Sequence, residues 1–84
     1  MEGWKGIIAA VEYMIMYRKR PQDDVEMLAK GIRSGEEVAF TPDEINEALK
    51  CALKSEDDLS EILPIQKHSD EVLRETFRRL SEIL

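Results

Sequence analysis

Apolar residues three and four positions apart run through most of this chain, and that spacing gathers on one side only when the backbone is α-helical. Trp4, Ile7, Ile8, Val11, Met14 and Ile15 form the first such stripe, and Val25, Leu28, Ala29 and Ile32 the second. Ile45, Ala48, Leu49, Ala52 and Leu53 form the third. Val72, Leu73, Thr76, Phe77, Leu80, Ile83 and Leu84 make the last, over an arc of about 140°. Pro21, Gly35, Pro42 and Pro64 punctuate the chain, where they start or stop helices.

These marks place the helices. The first is expected over about 2–19, stopped by Pro21, with Arg18, Lys19 and Arg20 matched to the negative end of its dipole. The second is expected over about 22–33, capped by Asp23 or Asp24 and followed by Gly35. The third carries the strongest local signal: Thr41 as N-cap, Pro42 at the first helical position, Glu44 closing a capping box, and Phe40 stapling onto Ile45. Residues 36–40 before it read as extended or loop. Ser55 with Asp58 reads as a second capping box, opening a short helix through Leu63. The last helix starts near Ser69, with Asp70 and Glu71 in its first turn. A chain of 84 residues holds one domain, residues 1–84. The expected fold is all-α, a small bundle or orthogonal array of four to five helices, with consecutive helices as neighbours.

Charge narrows the function. The net charge is −6, and the excess is local: residues 35–71 carry eleven acidic against three basic side chains. Such a field repels nucleic acid and attracts a basic protein surface. A helix-turn-helix reading fails on the same ground, because its recognition helix would open with Asp43, Glu44 and Glu47. The N-terminal apolar run contains Glu12, is too short to span a bilayer and lacks a small-residue cleavage site. Its polar strip, Lys5 and Glu12, is too narrow for a helix lying on a membrane. With Cys51 as the single cysteine, the expected compartment is the cytoplasm.

No catalytic, cofactor or metal site is expected. Cys51 lies off the apolar stripe of its helix and His68 in a linker, with no glycine-rich turn beside either. Glu56, Asp57, Asp58 and Glu61 lack the alternating ligands and central glycine of a calcium loop.

What remains is the second apolar side of the first helix. Gly6, Ala9, Ala10, Tyr13 and Tyr17 share a face opposite the docking stripe. They are surplus to the core of a small monomer and point to a protein partner, with a homodimer favoured. The expected function is a non-enzymatic protein–protein interaction or regulatory module that self-associates through the first helix. The alternative is an acidic inhibitor, an immunity protein or nucleic-acid mimic, covering a basic surface with Glu36, Glu37, Asp43, Glu47, Glu56, Asp57, Asp58 and Glu61.

Overall fold

A computed structural model describes residues 2–35 and 38–84. Four α-helices account for most of them: α1 (Trp4–Ile15), α2 (Val25–Ser34), α3 (Pro42–Lys54) and α4 (Asp70–Ile83). Two 3-10 turns, Pro21–Asp23 and Leu59–Glu61, sit in the connections, and there is no strand among the described residues. The chain is an all-α bundle.

The third helix begins where its sequence says. Thr41 Oγ1 accepts the Glu44 N–H at 3.2 Å, and Glu44 Oε1 accepts the Thr41 N–H at 3.0 Å. Phe40 packs against the core from the preceding position. Thr41→Ala removes half of this reciprocal cap, so its urea midpoint should drop by the equivalent of about 1 kcal/mol. An unchanged midpoint would show that the box contributes nothing to α3. Ser69 caps α4 in the same manner, its hydroxyl accepting the Val72 N–H. Gly35 closes α2 at φ 75°, a left-handed backbone that suits glycine, and returns its N–H to Ile32 O.

Three stretches differ from expectation, the simplest being α2, which begins at Val25 after the 3-10 turn and receives no side-chain cap from Asp24. α1 stops at Ile15, so Arg18, Lys19 and Arg20 lie beyond its last turn. The chain must turn before Pro21, and a residue before proline is barred from helical backbone; Arg20 sits at φ −132°, ψ 73°. Arg18 folds onto Asp24 at 3.3 Å and Arg20 onto Asp23 at 2.5 Å. The C-terminal carbonyls of α1 are capped instead from far along the chain, by Gln66 Nε2 on Glu12 O at 3.0 Å and His68 Nε2 on Ile15 O at 3.2 Å. The third stretch is Ser55–Leu63. Ser55 Oγ accepts only from Asp57 N, Asp58 is the true cap, and the result is a single 3-10 turn.

Neighbours in space are not neighbours in sequence. α3 packs on both α1 and α4, and α2 packs on α4, giving the order α1–α3–α4–α2. Only α3 and α4 are both consecutive and extensively packed. Stripe width explains this. The broad apolar arc of α4 has room for α3, α2 and both 3-10 turns, whereas the narrow stripe of α2 is satisfied by one neighbour. The core joins Ile8, Val11 and Ile15 of α1 to Ile32, Ile45, Leu49, Leu59, Leu73, Phe77 and Leu80, none of them exposed. The radius of gyration, 11.2 Å, is close to the ~12 Å expected of a compact chain this long.

Candidate functional site

α1 divides into an inner and an outer side. Ile7, Ile8, Val11 and Ile15 are buried against the bundle. Gly6, Tyr13 and Tyr17 are exposed, and Ala9 and Ala10 are half-buried between them. These five fall within an arc of about 100°, so they form one continuous face. Met16, at the C-cap with helical backbone, falls next to Glu12 around the helix and is buried with it.

Among the described residues, the large apolar side chains left in solvent are Tyr13, Tyr17, Met27 and Ile65, each more than half exposed. They are not scattered. Met27 Sδ lies 3.7 Å from the Arg18 guanidinium, just past the end of α1. Ile65 precedes Gln66, whose amide bonds α1 at Glu12. Lys67 Nζ stands over the Tyr17 ring, 5.1 Å from its centroid. Tyr13, Tyr17 and Met27 thus lie at the C-terminal end of α1, and Ile65 adjoins the residue that crosses it at Glu12.

The N-terminal half of the same face borders a cleft of about 570 Å³. Gly6 and Ala9 of α1 line it together with Ile62. Asp57, Asp58 and Glu61 supply its carboxylate wall, and Lys5 stands at the rim with its ammonium 3.0 Å from Asp57. The lysine holds the Asp57 carboxyl below its ordinary range. A Cβ at Gly6 would meet no heavy atom of the described residues within 4 Å. Nothing among the described residues therefore requires glycine there, although glycine within a helix costs roughly 0.5–1 kcal/mol relative to alanine.

Glu12 overturns the polar strip expected from the sequence. It is completely buried, on the side of α1 covered by the connection from Ile62 to His68. Gln66 Nε2 approaches its Oε1 at 3.5 Å, and its Oε2 has no hydrogen-bond partner among the described residues. Loss of hydration pushes its carboxyl up to about 7; the Gln66 hydrogen bond opposes this, and the charges of Asp58 and Asp70 add to it.

The expected acidic surface is divided. Glu36 and Glu37 lie outside the described residues. Asp43 and Glu47 are exposed near the start of α3, while Glu56, Asp57, Asp58 and Glu61 follow its end, about 18 Å of helix away from Asp43. Of these, Asp57, Asp58 and Glu61 come together at the cleft. Cys51 is half-buried on α3, and the His68 ring is directed at the end of α1. Among the described residues, no group of three or more His, Cys, Asp or Glu is placed to hold a metal ion, and no helix is long and apolar enough to cross a membrane.

Met27, Ile65 and Lys67 belong to this site and were not anticipated. Met27 carried a signal, because it falls off the buried stripe of α2. The positions of Ile65 and Lys67 depend on where the last connection crosses α1, which no local pattern encodes. In comparisons with protein-family models, characterised proteins and solved structures, nothing matches this chain.

Proposed function

We propose that this chain is a non-enzymatic protein–protein interaction module of the cytoplasm that associates with a second copy of itself through the outer face of α1. The observation that carries this reading is the gathering of Tyr13, Tyr17 and Met27 at one end of α1, with Ile65 beside the residue that crosses it. Isolated exposed apolar residues are ordinary, but several near one helix end, on a face that continues through Ala10 to Gly6, are the usual mark of a binding surface. Aromatic side chains at its centre would supply most of the affinity, and the surrounding charges the encounter rate and specificity.

Ala10→Arg tests it. The substitution puts a long cation into the middle of the face and leaves the docking stripe untouched. The parent should sediment as a dimer that survives high salt, and the variant as a monomer with the same circular dichroism. A monomeric parent together with an unfolded variant would make α1 simply the centre of its own bundle. The inhibitor reading draws on one feature, the carboxylate wall of Asp57, Asp58 and Glu61. It requires a salt-sensitive complex with a basic protein instead of the salt-resistant dimer.

A further inference from the structure

Resting on the self-association reading, we propose that the two copies pack their α1 helices antiparallel, so that the Tyr17–Lys67 end of each copy covers the carboxylate-walled cleft of the other. Area gives the first reason. From Gly6 to Tyr17, two residues past the end of α1, the face runs about 16 Å, and a strip one helix wide over that length offers a footprint on the order of 200 Å². A stable interface buries about 800 Å² on each partner. The contact must therefore reach beyond α1, onto Met27 and Ile65 at one end and the cleft at the other.

Charge gives the second reason. At the cleft, Asp57, Asp58 and Glu61 outnumber Lys5. At the opposite end, Arg18 and Arg20 are taken up by Asp24 and Asp23, while Lys19 is exposed and Lys67 stands over Tyr17. One end of the face is thus anionic and the other cationic. A parallel pair would set like against like, whereas an antiparallel pair sets each lysine end against a carboxylate wall. Register agrees with charge. With the two-fold axis at the middle of the face, Gly6 lies opposite the other copy's Tyr17 and Ala10 opposite its Tyr13, each small residue beneath a ring. Gly6 then has a purpose that the described residues of its own chain do not supply, because the open cleft that it lines receives the Tyr17 side chain.

A charge exchange tests the arrangement. One variant carries Asp57→Lys and Glu61→Lys, the other Lys19→Glu and Lys67→Glu. All four positions are exposed, and circular dichroism confirms that each variant is folded. Alone, each should dimerise at least roughly tenfold more weakly than the parent, because its two contacts become like-charged. Mixed in equal amounts they should form a heterodimer approaching the parent's affinity, because both contacts again pair opposite charges. Sedimentation equilibrium reads all three samples. A dimeric parent with two variants that dimerise equally well overturns the antiparallel arrangement and leaves self-association standing. Two weakened variants whose mixture does not recover overturn it as well. A parent that stays monomeric removes both the arrangement and the reading beneath it. Should a double variant fail to fold, Glu61→Lys and Lys19→Glu as single changes repeat the exchange.

Discussion

Glu12→Gln should stabilise the protein by about 3 kcal/mol at pH 8 and by only about 1 kcal/mol at pH 5. The carboxyl of Glu12 is sealed inside the bundle with one oxygen unpartnered among the described residues, and burial raises it to about 7. In the unfolded chain it returns to about 4.3. A carboxyl raised on folding binds its proton more tightly in the native state. The native state is therefore favoured below the unfolded value and loses ground as pH climbs from about 4.5 to 7. Above that the loss is complete and the curve is flat. Glutamine keeps a carbonyl oxygen for Gln66 and has no charge to bury. Urea midpoints of parent and variant, at one protein concentration and at pH 5 and 8, decide the matter. A parent midpoint that does not fall between these pH values, or a variant that falls as steeply, would show that Glu12 is not the group responsible. For a domain whose whole stability is on the order of 5–10 kcal/mol, this one side chain weighs heavily.

Arg74→Ala should cost roughly 2–3 kcal/mol, far more than an exposed arginine on the same helix. Arg74 Nε meets Asp70 Oδ2 at 2.8 Å, and its Nη2 donates to the carbonyls of Ser55 and Asp57 at 2.9 and 2.8 Å. Its Nη1 reaches Leu53 O at the end of α3. Asp70 in turn accepts the Leu59 N–H at 2.7 Å. One guanidinium thus caps α3, fastens the following segment to α4 and orients the carboxylate that holds the second 3-10 turn. Removing it leaves several carbonyls, and the Oδ2 of Asp70, without the donor that Arg74 supplies. Arg74→Lys should recover little, because an ammonium cannot span acceptors spread across that fork. Arg78, itself exposed, pairs among the described residues with Glu75 and Glu82 and provides the comparison, and its alanine variant should unfold near the parent midpoint. Equal midpoints for the Arg74 and Arg78 variants would dismiss the clamp.

Both side chains show where sequence reading stops. Arg74 is one of three arginines in α4, and nothing local separates the clamp from the solvated pair at Arg78 and Arg79. Its role follows from the path of residues 53–59, set by how α3 meets α4. Glu12 looks like part of a polar strip because its neighbours along the helix are read without the connection that covers it. That connection lies more than fifty residues away, and it brings Gln66 to Glu12 and His68 to Ile15.

What the sequence determined by itself is local and periodic. The capping box at Thr41, the Ser69 cap, the Gly35 stop and the four apolar stripes each act within a few residues, and the structure places each where that chemistry requires. The exposed face of Gly6, Tyr13 and Tyr17 was legible for the same reason, since helical period alone separates it from the buried stripe. Only the tertiary structure decided the order α1–α3–α4–α2, the burial of Glu12, and the meeting of Asp57, Asp58 and Glu61 with Gly6 and Ala9 of α1. Those outcomes depend on which stripe is wide enough to hold more than one neighbour and on which connection crosses which helix. Both are settled when apolar surfaces compete for one core, and no local signal in the chain carries the result.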